Sequence, residues 1–121
     1  SRKRIDAALA PHFEVVPPDR VDEFYLVCGN AHNWEAMIDL ARDENGTRAG
    51  EIPNLAMPVL LLWGADDLAY PPAVYAERFH ADIPRSELVV LEETGHYPHE
   101  ERPARTVAEM RAFFTRVEDE R

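Results

Sequence analysis

PVLLLWGADD, residues 58–67, is a continuous apolar run that ends in a glycine and two aspartates. A run bounded by Pro58 and Gly64 in this way is typical of a strand that is covered on both faces of a parallel sheet. A second apolar run, LVVL at residues 88–91, follows a proline-led helical pattern over residues 71–80. Strand, helix and strand in this order predict two parallel strands joined by a right-handed crossover.

The last stretch of the chain has the pattern of a long amphipathic helix. Pro103 suits the first turn of a helix. The apolar residues behind it recur at helical spacing: Val107, Met110, Phe114 and Val117. Residues 51–121 therefore predict an α/β layer of two strands and two helices. Because one helix layer covers only one face of a sheet, we expect apolar sheet surface that further strands or another chain would cover.

Residues 1–50 contain helical patterns and no convincing strand pattern. One helix is expected to start with Asp19 as its N-cap. The next is expected to be capped by Asn30 or Asn33 and to end before Gly46. The apolar stripe of that second helix is the clearest in this half: Trp34, Met37, Ile38 and Ala41. Residues 45–54 have the composition of a linker.

Carboxylates and a histidine follow the two predicted strands. Asp66 and Asp67 come directly after the first strand, and His96 lies in the loop after the second. Because the carboxyl ends of parallel strands share one edge of a sheet, we expect these side chains to lie within reach of each other. A carboxylate that accepts the Nδ1 proton of a histidine leaves Nε2 free to take a proton from a nucleophile or a water. A structural pair that holds two loops together is the alternative interpretation.

The two motifs, in this order and spacing, resemble the α/β-hydrolase family. The first motif is residues 58–67 followed by Pro71, and the second is GHYPHEE, residues 95–101, followed by Pro103. The resemblance covers about residues 52–117. It implies an α/β fold, namely the carboxyl-terminal part of a hydrolase's parallel sheet with its flanking helices.

The resemblance also implies the chemistry. In the family pattern the acid is the third residue after the glycine, which selects Asp67 as the triad acid and His96 as the histidine. His96 would serve as general base and then general acid in a covalent mechanism that needs no cofactor. The implied substrate is a small, fairly apolar ester, lactone, carbon–carbon or carbon–halogen compound.

The nucleophile of such a triad is not evident in the 121 residues, since no Gly-x-Ser-x-Gly elbow is present. Ser86 precedes the second strand and is expected at the wrong edge of the sheet. Cys28 lacks a strand–turn–helix setting, and a small buried thiol is its default role. We therefore expect the carboxyl-terminal part of a longer hydrolase, with a serine or an aspartate upstream, and a chain that is inactive alone. The competing hypothesis is a truncated or degenerate hydrolase-like protein without activity.

Residues 1–50 fall where many members of the family insert a helical cap. Caps usually provide apolar walls for the substrate pocket, which makes Trp34, Met37 and Tyr25 the candidate substrate-binding residues. Ordinary core packing is the alternative for the Trp34 stripe, and its helical periodicity favours that alternative.

A metal site is not predicted. His96, His99 and Glu100 lie close together in the sequence, but their spacing is not that of the helical zinc motif, and Pro98 is expected to prevent a helix there. His12 has no partner pattern and is expected at or near the surface.

Composition excludes several classes of partner. The 13 Lys and Arg against 23 Asp and Glu give a net charge of −10, which disfavours nucleic acid and anionic membrane surfaces. Paired glutamates such as Glu92-Glu93 and Glu100-Glu101 are expected on solvated faces. No apolar stretch approaches the ~20 residues that span a bilayer. The single cysteine fits a reducing, cytoplasmic compartment. A small-molecule substrate is the expected partner, together with self-association through the incomplete sheet.

Overall fold

A computed structural model describes residues 1–43 and 46–120 of the chain. The elements follow in the order α1 (Arg2–Leu9), α2 (Pro18–Cys28), α3 (Ala31–Asp43), a 3₁₀ helix (Ala49–Asn54), β1 (Val59–Gly64), α4 (Ala76–Asp82), β2 (Ser86–Leu91), α5 (Pro98–Glu101) and α6 (Pro103–Asp119). The predicted end of α3 and the start of the predicted linker include residues 44 and 45, which lie outside the described residues. None of the helices in the described part of the chain has both the length and the apolarity that a membrane span requires.

The two strands form a parallel pair, as the alternation of apolar runs predicted. Val59 lies opposite Ser86 and Gly64 lies opposite Leu91, so the carboxyl ends of both strands reach the same edge of the sheet. The backbone N–H of Ala65 donates to the Leu91 carbonyl at 2.9 Å, which continues the pairing beyond β1. The loops that follow the two strands are therefore neighbours.

The sheet is only partly covered within this chain. Residues 59–63 of β1 are half-buried, and Val90 of β2 is exposed. On α6, Phe114 is 54% exposed although Phe113 beside it is buried. Within the described residues β1 is therefore not covered on both faces, which agrees with the expectation that one helix layer leaves apolar sheet surface uncovered.

Three helix starts differ from the predictions. Pro17 is the N-cap of α2, and Asp19 lies in the first turn instead, where its negative charge interacts favourably with the helix dipole. Pro98 begins α5 and does not prevent a helix. In the first turn the backbone N–H has no acceptor within the helix, so proline loses no hydrogen bond there. The predicted helix at Pro71 begins with a turn, since the Pro71 carbonyl accepts the N–H groups of Val74 and Tyr75 and α4 itself starts at residue 76.

Of the two candidate caps of α3, Asn30 occupies the capping position. Its Oδ1 accepts the backbone N–H of His32 at 3.0 Å. Asn33 lies inside the helix, and its Nδ2 donates to the Val27 carbonyl at 2.9 Å, which connects α3 to α2.

Candidate active site

Asp67 and His96 meet at the carboxyl edge of the sheet. His96 Nδ1 donates to Asp67 Oδ2 at 2.8 Å, a distance typical of a charge-assisted hydrogen bond. The Asp67 side chain is 2% exposed, whereas that of His96 is 32% exposed. The acid is thus enclosed by protein, while the imidazole remains open to a reactant.

The buried carboxylate of Asp67 is compensated by hydrogen bonds on both oxygens. Oδ1 accepts the backbone N–H groups of Ala69 at 3.1 Å and Tyr70 at 2.9 Å, which leaves Oδ2 for the histidine. A buried charge requires such partners, because desolvation without them is costly. Asp66 is exposed, and its backbone N–H donates to the Thr94 carbonyl. The structure therefore places Asp67, and not Asp66, on the histidine.

The close approach of the two loops depends on Gly64. A Cβ atom at this position would lie 1.9 Å from the Gly95 carbonyl oxygen and 2.2 Å from that of Thr94. Thr94 is completely buried beneath the crossing. Only a residue without a side chain fits here, and this contact brings the acid loop to the histidine loop.

A segment between α1 and α2, residues 11–14, crosses both loops. The Pro11 carbonyl accepts the Ala69 N–H at 3.2 Å, and the His12 carbonyl accepts the His96 N–H at 2.5 Å. A Cβ on Gly95 would come within 2.7 Å of the His12 carbonyl oxygen. Sequence reasoning missed this segment, because its composition does not indicate contacts with residues as distant in the sequence as Ala69 and His96.

The pair Glu100-Glu101 differs from the expectation of a solvated face, whereas Glu92 and Glu93 are exposed as expected. Glu101 Oε1 accepts the backbone N–H groups of Gly95 and Tyr97, both at 3.1 Å. Glu100 forms an ion pair with Arg20 of α2, with Nε to Oε2 at 2.8 Å. The prediction for Glu100-Glu101 is therefore wrong, since both side chains connect parts of the fold.

Aromatic rings surround the His96 imidazole. Tyr70 stacks on it at 5.1 Å with 27° between the ring planes, and Tyr97 meets it edge-on at 5.1 Å. His12 lies 5.3 Å away and is half-buried, which agrees with the expectation of a side chain at or near the surface. Its contact is to a residue distant in sequence, which no local pattern could indicate.

Burial raises the pKa of the Tyr97 hydroxyl above its usual value. The negative charges of Glu100 and Asp67 raise this pKa further, and Arg20 partly offsets them. Tyr97 therefore remains a neutral phenol beside His96 over the ordinary pH range.

Helices α1, α2 and α3 surround a cavity of about 730 Å³. All three candidate substrate-binding residues, Trp34, Met37 and Tyr25, line this cavity, and so do His12 and Tyr97, which both contact His96. No residue of α3 is buried, and Trp34 is 50% exposed. The core packing that the periodicity favoured for the Trp34 stripe is therefore not seen. A smaller pocket of about 100 Å³ adjoins Asp67 and His96 directly.

The residues considered as nucleophiles do not adjoin His96 in the described contacts. Ser86 is the first residue of β2, at the end of the strand away from the histidine loop, and its Oγ lies 2.9 Å from His80 Nδ1. Cys28 ends α2 and lines the helical cavity. Its carbonyl accepts the Trp34 Nε1–H at 2.6 Å.

In the described part of the chain, the side chains of the histidine motif are not arranged as a metal-binding site. Within residues 1–43 and 46–120, no group of three or more His, Cys, Asp and Glu side chains is arranged to hold a metal ion. His99 is largely exposed, and its Nε2 lies 3.6 Å from Glu100 Oε1.

Residues 39–103 match the sequence model of the alpha/beta hydrolase fold. This match covers more than half of the chain, and the chain belongs to the α/β-hydrolase fold family. The family and fold class predicted from the two motifs are therefore confirmed.

Two of the chain's sequence relatives extend this comparison. The uncharacterized hydrolase YugF of Bacillus subtilis is 38% identical over 71 residues, which are 58% of this chain and 26% of that protein. The uncharacterized protein Mb2734 of Mycobacterium bovis is 35% identical over 63 residues, 52% of this chain and 18% of that protein. The chain thus spans about a quarter or less of the length of these relatives.

Two solved structures have similar folds. A bacterial membrane phospholipase A, described as a virulence factor, superposes with a TM-score of 0.79 at 25% identity, covering 98% of this chain and 39% of that one. A thermophilic esterase superposes with a TM-score of 0.72 at 22% identity, covering 96% of this chain and 46% of that one. Nearly the whole chain therefore superposes on part of each of these two longer chains.

Proposed function

We propose that this chain provides the acid, the histidine and part of the substrate pocket of a hydrolase that acts through a covalent intermediate. The supporting observation is the 2.8 Å hydrogen bond between buried Asp67 and accessible His96 at the carboxyl edge of a parallel sheet. In open α/β sheets this edge is where functional groups collect. The membership of the chain in a hydrolase fold family supports the same interpretation.

In the proposed mechanism His96 transfers the proton, and Asp67 orients the His96 imidazole. Because Nδ1 donates to Asp67, Nε2 is the unprotonated nitrogen and can take the proton of a serine hydroxyl as that oxygen attacks the substrate carbonyl. The imidazolium then gives this proton to the leaving group, and the imidazole next activates the water that hydrolyses the covalent intermediate. With an aspartate as nucleophile, His96 would be needed only for the water step.

We place the nucleophile outside residues 1–121. The chain spans 26% of the length of the B. subtilis hydrolase, so a strand and elbow that carry a nucleophile have room elsewhere in a protein of that size. The serine and aspartate versions both remain compatible with the Asp67–His96 geometry.

The helical cavity supports an apolar substrate. We propose that residues 1–50 act as a cap, and that Trp34, Met37 and Tyr25 contact the substrate's apolar part, since all three line the cavity that reaches the rings around His96. Among ester, lactone, carbon–carbon and carbon–halogen substrates we favour a carboxylic ester, because the similar structure at 25% identity is a phospholipase A.

The competing proposal is a truncated or degenerate hydrolase-like protein that keeps the fold elements but does no chemistry, and that associates through its incomplete sheet. The half-buried strand β1 and the exposed Phe114 and Val107 of α6 are the supporting observation. Such a surface would pair with further strands of the same protein or with a second copy. We place the protein in the cytoplasm on the basis of its single cysteine.

Hydrolysis of a short p-nitrophenyl ester tests the proposal. The 121-residue chain should show no turnover, whereas a polypeptide that also contains the nucleophile should be active and should lose about 10³-fold or more in kcat on His96→Ala. His99→Ala is the matched control, because His99 is largely exposed and does not contact Asp67. Full activity of His96→Ala would refute the proposal, as would turnover by the chain alone that Cys28→Ala abolishes.

A further inference from the structure

A carboxylate outside the acid–histidine pair holds the histidine loop. Glu101 Oε1 accepts the backbone N–H groups of Gly95 and Tyr97, the two residues that flank His96, both at 3.1 Å. We propose that Glu101 is a positioning residue, which sets the orientation of His96 toward Asp67 and toward the reactant. The catalytic part of this inference rests on the proposed function, in which His96 is the base.

The three consecutive N–H groups of the histidine loop all have acceptors. Glu101 accepts those of Gly95 and Tyr97, and the His12 carbonyl accepts that of His96. Gly95 is buried, so its N–H needs an acceptor within the protein. Glu101 Oε1 accepts the N–H of the Thr94–Gly95 peptide and that of the His96–Tyr97 peptide, and the His12 carbonyl accepts the N–H of the Gly95–His96 peptide between them. Rotation of the His96–Tyr97 peptide plane would break a charge-assisted hydrogen bond to Glu101, and rotation of the Gly95–His96 plane would break the bond to His12. The Cα–Cβ direction of His96 is thereby restricted.

The second oxygen of Glu101 connects the same loop to the helical half of the chain. Oε2 accepts the backbone N–H of Glu14 at 2.8 Å. The preceding residue, Phe13, is buried, and its ring lies 4.7 Å from that of Tyr97. His12, which lines the helical cavity, belongs to the same segment. One side chain therefore sets the position of His96 and of a cavity wall relative to each other.

The adjacent Glu100 is chemically identical but makes different contacts. Its carboxylate pairs with the Arg20 guanidinium of α2 and with no backbone N–H of the histidine loop in the described hydrogen bonds. Substitution of Glu100 by glutamine removes the same charge from the same helical turn. Glu100→Gln is therefore the matched control for Glu101→Gln.

The first experiment follows the imidazole proton between His96 and Asp67 by NMR in the full 121-residue chain. This downfield Nδ1–H signal is assigned by its loss in His96→Asn. Glu101→Gln keeps the size of the side chain but offers one neutral acceptor oxygen. Either the N–H groups of Gly95 and Tyr97 or that of Glu14 then lose their acceptor, and the hydrogen bonds that remain lose their charge assistance. We expect the signal to broaden or shift in Glu101→Gln and in Glu101→Ala, and to remain unchanged in Glu100→Gln. An unchanged signal in both folded Glu101 variants would overturn the proposal.

The second experiment measures ester hydrolysis in the polypeptide that contains the nucleophile, normalised to the folded fraction. Misplacement of a catalytic group by about 1 Å can cost about 10²-fold. We expect a loss of about that size in kcat for Glu101→Ala and about tenfold for Glu101→Gln, while Glu100→Gln stays within about twofold. A kcat of Glu101→Gln equal to that of Glu100→Gln would refute a catalytic consequence of the positioning.

The two experiments separate failure of this inference from failure of the proposed function. If His96→Ala retains activity, the proposed function is wrong, and the NMR signal still decides whether Glu101 orients His96. If His96→Ala is inactive but both Glu101 variants behave like Glu100→Gln, the proposed function stands and the inference about Glu101 is refuted.

Discussion

Replacement of Gly64 by alanine should separate the acid loop from the histidine loop. The added Cβ would lie 1.9 Å from the Gly95 carbonyl oxygen and 2.7 Å from the Thr94 carbonyl carbon. Ordinary contact begins near 3.4 Å, so the two loops must part by about 1.5 Å. The opposing atoms belong to the backbone, and no side-chain rotation can relieve the overlap.

The expected cost follows from this overlap. Overpacking in a well-packed site costs about 1–3 kcal/mol and occasionally more. Because the His12 carbonyl and Glu101 hold the opposing loop in place, we expect about 3 kcal/mol of lost unfolding free energy for Gly64→Ala. A separation of this size would also lengthen the 2.8 Å bond between His96 and Asp67 beyond hydrogen-bond range.

Urea unfolding followed by circular dichroism measures the change in free energy. The Nδ1–H signal of His96 reports the loop separation in the same samples, and we expect this signal to disappear in Gly64→Ala. Gly50→Ala is the control, because no heavy atom lies within 4 Å of a Cβ built at Gly50. If the unfolding free energy of Gly64→Ala stays within about 0.5 kcal/mol of Gly50→Ala and the signal persists, the steric reasoning is wrong.

Three further predictions concern the same site. Asp67→Asn should lower kcat by about 10³- to 10⁴-fold in the polypeptide that contains the nucleophile, whereas the exposed neighbour changed in Asp66→Asn should be nearly neutral; equal losses would contradict the assignment. In an ultraviolet titration, the signal that is lost in Tyr97→Phe should belong to a tyrosine that ionises above pH 10. Because Tyr97 ionises at lower pH in the unfolded chain than in the folded one, its contribution to the unfolding free energy should be fully present below about pH 10 and should be lost as the pH rises through its folded pKa. A difference in unfolding free energy between the unsubstituted chain and Tyr97→Phe that does not change with pH would disprove this. Trp34→Ala should raise KM for an apolar ester more than Leu40→Ala, since Leu40 lies on the same helix outside the cavity lining; equal KM values would count against a substrate contact.

Much of the α/β portion was predictable because its signals are local. The apolar run of residues 58–63 and the prolines and glycines at its ends indicate a buried parallel strand without any knowledge of its neighbours. The pairing of Asp67 with His96 followed from a general property of parallel sheets, in which the loops after neighbouring strands share one edge. The register of β1 and β2 agrees with this expectation.

The errors arose where one residue type allows more than one local outcome. Pro98 was expected to exclude a helix, yet it occupies the first position, where proline is favourable. Asp19 was expected to cap α2, yet Pro17 is the N-cap, so the helix begins two residues earlier. Glu100-Glu101 resembled a solvated pair, because a carboxylate that accepts backbone N–H groups has no distinguishing sequence pattern.

The sequence by itself determined the family, the order of the two strands and of the helices α4 and α6 that follow them, and the acid and histidine that meet at the sheet edge. These features depend on apolar periodicity, on turn residues and on short motifs, all of which are local. The tertiary structure decided what holds His96 in place, namely Glu101 and the segment at residues 11–14, whose His12 lies 84 positions before His96. It also decided that Trp34 and Met37 line a cavity. Backbone hydrogen bonds and cavities depend on how distant segments pack, and neither leaves a periodic pattern in the chain.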